Sequence, residues 1–370
     1  MLRMMLYKKC KRLAAWLLCI LLLWMPSSFA APPRFAQVTP DHALTLPQDS
    51  GAHPDFRTEW WYATGWLAMP DGKPVGFQIT FFRSATEHDR ANPSAFAPTQ
   101  LIMAHAALSD PSLGKLLHDQ KSARAGFGLA YAKQGNTDVA LDNWRLLRAA
   151  DGHYQVSVAA RDFTLELSLT PTQPPLLQGD GGYSRKGPQA AQASYYYSEP
   201  QLQVSGKVNR NGRTDQPQIV SGNAWLDHEW STSVLDADAV GWDWLGANLD
   251  DGSALMAFQI RDRSGKKIWA HAALRDAHGQ VTQFEPDQVS FVPQRSWRSP
   301  RTDASYPVQA VLHTGVLTWS LLPLQDDQEL DSRLSTGSVY WEGAVTVNRD
   351  GKRAGRGYLE LTGYLKALKF

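Results

Sequence analysis

Apolar and polar residues alternate over long stretches of this chain, and each stretch stops at a pair suited to a tight reversal. The pattern is plain in GFQITFFR (76–83), YQVSVAARDFTLELSL (154–169) and AVTVNRDGKRAGRGYLELTGYL (344–365). Asp71-Gly72, Asp151-Gly152, Asn211-Gly212, Asp251-Gly252 and Asp350-Gly351 punctuate it. Period-two patterning puts successive side chains on opposite faces of a strand, and Asp-Gly or Asn-Gly pairs favour hairpin turns. Helical periodicity is lacking, so the chain is expected to be all-β, built of short antiparallel strands in a sandwich or barrel.

The two halves also match one another. YATGWLAMPDG (62–72) parallels WDWLGANLDDG (242–252); each is followed by Phe-Gln-Ile (77–79 and 258–260) and then by HAALSD (105–110) or HAALRD (271–276). Three blocks in the same order predict a duplicated β-meander. Between Phe-Gln-Ile and His-Ala-Ala-Leu the first copy is longer, predicting an exposed polar loop around 84–100. A Pro- and Gly-rich segment, 170–194, is expected to lack regular structure.

The first thirty residues read as a secretory leader: Arg3, Lys8, Lys9, Lys11 and Arg12 precede an apolar run from Leu13 to Met25, and Ser28-Phe29-Ala30 suits cleavage before Ala31. Leu18 before Cys19 does not suit a lipid-modified cysteine. The expectation is a periplasmic or secreted protein, with a leader at 1–30, a first domain at 31–232 and a second at 233–370. Both cysteines, Cys10 and Cys19, fall in the leader, which removes disulfides and thiolate chemistry from the remainder. The chain carries 37 Lys and Arg against 36 Asp and Glu; without the five leader bases the balance is 32 against 36, a net charge of −4. No basic footprint for nucleic acid follows, and no second long apolar run predicts stable membrane insertion.

Candidate site residues concentrate where the halves meet. In SGNAWLDHEWSTSVLDADAVGWDWLGANLDDG (221–252), Asp227, His228 and Glu229 lie between Trp225 and Trp230, with Trp242 and Trp244 beyond. Ionisable groups in aromatic surroundings acquire shifted pKa values suited to proton transfer. On one strand Asp227 and Glu229 share a face and His228 takes the other, so His228 either acts as a general acid or base or ties neighbouring strands together. Trp60, Trp61, Tyr62 and Trp66 crowd the matching start of the first copy. The aromatics either plug each barrel or line an apolar cavity. His105 and His271 occupy matching block positions, which argues for a shared architectural role. No H-E-x-x-H spacing supports a zinc site from His105, His228 and His271, and no G-x-S-x-G supports a serine hydrolase. No cofactor or metal is expected. His53, Asp55 and Glu59 form a further polar cluster, with a structural ion pair to an arginine expected there.

HPDFRTEWWYATGWL (53–67), ASYYYSEPQLQVSGKV (193–208), GNAWLDHEWS (222–231), GWDWLGANLDDG (241–252) and GRGYLELTGY (355–364) together resemble the AttH-like, lipocalin-like proteins related to carotenoid 1,2-hydratase. The resemblance implies two consecutive lipocalin-like (calycin) antiparallel β-barrel domains and an apolar lipid or isoprenoid ligand bound or processed, with a link to an ABC-type transport system. In the hydratase branch, proton transfer to a terminal double bond is attributed to a His-x-Trp pair and a Tyr-x-Asp pair on a following strand. His228 and Trp230 match the first pair; the strand SALMAFQIRD (253–262) has no Tyr-x-Asp. The resemblance thus implies Asp227, His228 and Trp230 as candidate catalytic residues. Trp60, Trp61, Tyr62, His105, Trp242, Trp244 and His271 are candidate ligand-binding residues. The main reading is lipid binding or processing, and the alternative is a cofactor-independent hydratase or hydrolase.

Overall fold

The computed structural model describes residues 35–210, 216–233 and 235–368. The expected leader and the Asn211-Gly212 turn lie outside them. The first half contributes β1 (Thr58–Ala68), β2 (Pro74–Ala85), β3 (Gln100–Asp110), β4 (Lys115–Arg124), β5 (Ala130–Ala132), β6 (Asp138–Leu141) and β7 (Trp144–Arg148). It continues with β8 (Tyr154–Ala159), β9 (Phe163–Thr170), β10 (Leu176–Leu177), β11 (Tyr183–Arg185), β12 (Ala193–Arg210) and β13 (Gln218–Ser233). The second half contributes β14 (Ala239–Leu249), β15 (Ala254–Asp262), β16 (Lys267–Arg275), β17 (Val281–Phe284) and β18 (Val289–Arg298). It ends with β19 (Ser305–Thr314), β20 (Leu317–Pro323), β21 (Glu329–Ser332), β22 (Ser338–Arg349) and β23 (Lys352–Leu361).

These strands form two antiparallel sheets, ordered β4-β3-β2-β1-β13-β12-β9-β8-β7-β6-β5 and β17-β16-β15-β14-β23-β22-β20-β19-β18. In each, the first strand lies between the second and the last, so the duplication read in the sequence is a duplication of topology. The first sheet is nearly closed into a barrel, and each sheet wraps its own apolar core in a lipocalin-like fold. Trp61, Phe77, Ile79, Phe81 and Trp144 fill the first core; Leu245, Tyr306, Trp319 and Trp341 fill the second. Their large side chains occupy the space in which a lipocalin would hold a ligand.

The turn chemistry follows the sequence. Asp350 (φ 51°) and Gly351 (φ 73°) both take the left-handed conformation between paired Arg349 and Lys352, as a two-residue type I′ hairpin requires. The 84–100 segment forms an exposed excursion between β2 and β3. The 170–194 segment departs from expectation. β10 and β11 pair with β12, Leu176 opposite Ser198 and Tyr183 opposite Tyr195; its prolines and glycines sit between these short strands rather than preventing them.

One repeat block proves misleading in face. Gly65 pairs with Phe77, whereas Trp244 pairs with Phe258. The second Phe-Gln-Ile therefore sits one residue later relative to its partner strand, and a one-residue slip reverses which face each side chain takes. Phe77 enters the first barrel core and Phe258 faces out of the second.

The outward faces of β1, β12 and β13 pack on those of β14, β15, β22 and β23. Tyr62, Trp66, Tyr196 and Trp225 there meet Trp244, Met256, Phe258, Ala344 and Tyr358 in one apolar cluster. Trp66 Nε1 donates to the Gly357 carbonyl (3.0 Å), and Trp244 Nε1 donates to the Tyr196 hydroxyl (3.1 Å). Gln201, left-handed at φ 57°, donates its amide to Leu249 O (3.0 Å) and Ser253 O (2.9 Å). Gly76 is part of this contact: a Cβ there would lie 2.6 Å from Ala344 Cβ and 2.7 Å from the Tyr358 hydroxyl. Gly76→Val is therefore expected to destabilise the protein by about 1–3 kcal/mol through overpacking, measured as a lower urea midpoint; an unchanged midpoint would mean that the barrels do not meet at Gly76.

Candidate functional site

Alternation along β13 splits the Asp227-His228-Glu229 triplet between two environments. Paired with β1, it sets His228 opposite Trp61 and Asp227 opposite Tyr62. His228 and Trp230 enter one end of the first barrel; Asp227 and Glu229 face the second barrel. The three candidate catalytic residues Asp227, His228 and Trp230 thus do not converge on one site, because adjacent strand residues point in opposite directions.

At the barrel end, Glu59 is the hub. Its Oε1 lies 2.8 Å from His53 Nδ1 and 2.9 Å from His228 Nε2, and its Oε2 accepts from Arg83 Nε (2.6 Å). Arg83 also donates to Gln100 Oε1 (2.7 Å) and to the carbonyls of His53 and Phe56 (both 2.9 Å). Burial alone would push Glu59 up, but hydrogen bonds from His228 and His53 and the Arg83 charge outweigh it and hold the carboxyl well below its usual range. Burial lowers His228 to about 4 despite the pull of Glu59, so the imidazole is neutral at pH 7. Trp61 stacks on His228 at 4.7 Å, and Trp230 stacks on His53 at 3.7 Å. Of the polar cluster His53, Asp55 and Glu59, Glu59 forms the buried ion pair, with Arg83, while Asp55 pairs at the surface with Arg90.

Among the described residues, His53 Nδ1, Glu59 Oε1 and His228 Nε2 lie within 4.8 Å of one another, a metal-ligating type of set. Arg83 already neutralises the carboxylate, so a divalent ion here would add buried charge. The alternative zinc set of His105, His228 and His271 does not assemble, since His105 and His271 lie on outward faces. Those two histidines also differ from each other. His105 sits within 2.8 Å of both the Tyr340 hydroxyl and Ser335 Oγ across the interface. His271 Nε2 has no hydrogen-bond partner among the described residues, and its ring lies 6.1 Å from Phe258.

Between the barrels, acids outnumber bases. Asp227 accepts from Ser198 Oγ (2.6 Å), Trp225 Nε1 (2.7 Å) and the Tyr196 hydroxyl (2.8 Å). Glu229 accepts from Ser194 and lies 3.1 Å from Lys186 Nζ. Across the interface, Glu342 and Glu360 are directly paired on β22 and β23. Tyr62 donates to Glu342, and Trp242 Nε1 donates to Glu360 (2.8 Å). Lys186 is the cation here, 4.2 Å from the Phe258 ring and 4.5 Å from that of Tyr196.

Carboxyls gathered in a desolvated space cannot all ionise. Burial pushes Asp227 up to about 7 against its three hydrogen bonds, and pushes Glu360 up to about 8. It also raises Glu342 well above the usual range, with neighbouring Glu360 adding to the effect. Burial lowers Lys186. Glu360, Trp60 and Trp242 nevertheless remain partly accessible, whereas Asp227 and Glu342 are sealed.

Of the expected ligand-binding residues, Trp60, Tyr62, His105, Trp242, Trp244 and His271 all lie on the interbarrel side; Trp61 faces the first core. Sequence reasoning missed Glu342, Glu360 and Lys186. A signal for the first two existed: each is an acid in an otherwise apolar strand, as in VYWEGAV (339–345) and GYLEL (357–361).

A fold of two lipocalin-like barrels with an acid-rich aromatic interface defines the class of protein. The chain belongs to the AttH-like family, whose model matches residues 37–364. It is similar to the crystal structure of a protein assigned as AttH from Nitrosomonas europaea, with 64% identity over 89% of this chain and 100% of that one, at a TM-score of 0.84. Kievitone hydratase from Nectria haematococca shares the fold at 14% identity, covering 90% of this chain and 98% of its own, at a TM-score of 0.65. CghA with Sch210972 does so at 14% identity, covering 90% and 97%, at a TM-score of 0.53. A comparison with functionally curated proteins finds no match.

Two outcomes follow for the barrel-end cluster. Arg83→Met strands the Glu59 charge and is expected to cost about 3–5 kcal/mol of stability in urea unfolding. His228, lowered from 6.5 to about 4 on folding, takes up a proton in the unfolded chain before the folded one. Its contribution to stability is therefore lost as pH falls from 6.5 to about 4. The difference in stability between wild type and His228→Gln should shrink across that window; a constant difference would contradict a neutral buried imidazole.

Proposed function

We propose that this AttH-like protein is a cofactor-independent acid–base enzyme that adds water to, or removes it from, a carbon–carbon double bond of an apolar small molecule held between the barrels. Glu360 carries the reading: it is a carboxyl with its proton retained near neutral pH, partly accessible, and set among aromatic faces. In the hydration direction Glu360 gives its proton to one alkene carbon, leaving a carbocation at the other. The faces of Trp242, Trp244 and Tyr62 stabilise that charge. Water attacks the cation and returns a proton to the carboxyl cluster, restoring the starting state. Asp227 and Glu229 add to burial in keeping Glu360 protonated and are positioning residues. His228 and Trp230 pack the barrel end behind this wall.

Support also comes from kievitone hydratase, a hydratase by name that shares the fold. Packed barrel cores favour the interface over an internal calyx as the place for an apolar ligand. The basic-then-apolar leader supports export, and the reading places the reaction outside the cytoplasm.

The test is incubation with unsaturated lipophiles, kievitone included, in isotopically labelled water, with mass spectrometry for gain or loss of one water. Glu360→Gln should lower kcat by about 10²–10⁴-fold while ligand-induced thermal shifts persist; His228→Gln should keep turnover. Wild-type activity should decline as pH rises through about 8, where Glu360 gives up its proton. Full activity in Glu360→Gln, or ligand binding without water gained or lost on any compound, would sink the proposal.

A further inference from the structure

A second feature of the interface lies on the far side of the Trp225 and Trp244 indoles. A cleft of about 740 Å³ opens there, with Thr64, Trp66, Asn223 and Trp225 on one wall and Asn248 and Arg356 on the other. A Cβ on Gly246 would lie 2.5 Å from Trp244 and 3.0 Å from Trp225, so both rings pack closely against the Gly246 backbone at this edge of the cleft.

Arg356 is the unusual group. Its guanidinium lies over the Trp66 ring at 4.7 Å, and Trp66 is itself held by the Gly357 carbonyl. Its neighbour Arg353 takes both oxygens of Asp250, at 2.9 and 3.0 Å. That leaves the half-buried Arg356 with no hydrogen bond or ion pair of its own among the described residues, Asp250 acting on it only as a more distant charge. The Thr64 hydroxyl and the Asn223 side-chain amide, on the facing wall, also have no protein partner among them. A guanidinium held flat on an indole at a cleft wall is preset for a planar oxyanion. Burial and the neighbouring Arg353 lower the Arg356 pKa, and Asp250 only partly offsets them.

We infer that this cleft is a binding site for a small organic oxyanion, a carboxylate or a phosphate monoester, with Arg356 pairing the anionic group and Thr64 and Asn223 completing its hydrogen bonds. A volume near 740 Å³ accommodates a compact organic body as well as the anion. The site is independent of the acid–base reading in its residues, since Arg356, Thr64 and Asn223 have no part in that reaction.

Isothermal titration of the full chain with benzoate, phenyl phosphate, inorganic phosphate and benzyl alcohol tests it, with tryptophan fluorescence reporting on Trp66 and Trp225. Saturable binding of benzoate or phenyl phosphate is expected, the stronger of the two showing which oxyanion is preferred. Arg356→Met, which keeps an aliphatic stem on Trp66, should weaken it roughly ten- to hundredfold; Arg356→Lys should retain part. Glu360→Gln should bind as wild type does, separating this site from the proposed catalytic one. The inference is overturned by equal affinity for benzyl alcohol, by unchanged binding in Arg356→Met, by binding of inorganic phosphate alone, or by no binding of either organic anion at millimolar concentration.

Discussion

The pairing of β1 with β13 is the constraint on which the rest of the structure depends. This two-strand wall belongs to the first barrel on one face and to the interface on the other. Its register sets Trp61 against His228 and, one residue on, Tyr62 against Asp227. The inward pair helps to close a barrel end; the outward pair helps to build the acid cluster between the barrels. A slip of one residue would place the Asp227 carboxyl in the apolar core and expose His228 to the second barrel, so the register is held by burial on both faces.

The two sides of that wall show how compensation, rather than burial, decides what an acid can do. Glu59 and Asp227 are both sealed from solvent. Glu59 has a guanidinium and two imidazoles on it and stays ionised; its charge is committed to holding β1, β2, β13 and the segment around His53 together. Asp227 has only neutral donors, and its neighbours across the interface are further acids. Protons held near neutral pH result. A carboxyl that keeps its proton can donate it, while an arginine-bound carboxylate cannot. In the proposed reaction that difference favours Glu360 over Glu59 and His228 as the proton donor.

Much of the architecture was legible before any coordinates. Alternation and Asp-Gly turns identify antiparallel strands, and the ordered repeat blocks identify the duplication. The split of Asp227 from His228 also follows from strand periodicity alone. The repeat was less reliable in detail, since Phe-Gln-Ile occurs in both halves but one residue out of step with the partner strand. Leu176–Leu177 and Tyr183–Arg185 form strands that composition hid, because their pairing with β12 supplies the order that local propensity does not.

The sequence by itself determined the all-β class and the two matching sheets, because period-two patterning and turn residues act locally along the chain; it left open which aromatics plug the barrels and which face outward. Only the tertiary structure decided which acids meet. Tyr62 and Glu342 are 280 residues apart, and Trp242 and Glu360 are 118 apart; no local spacing encodes such contacts. Those pKa values depend on desolvation and on charges brought together by packing one barrel on the other. The same packing lays Arg356 over Trp66 at the wall of a cleft.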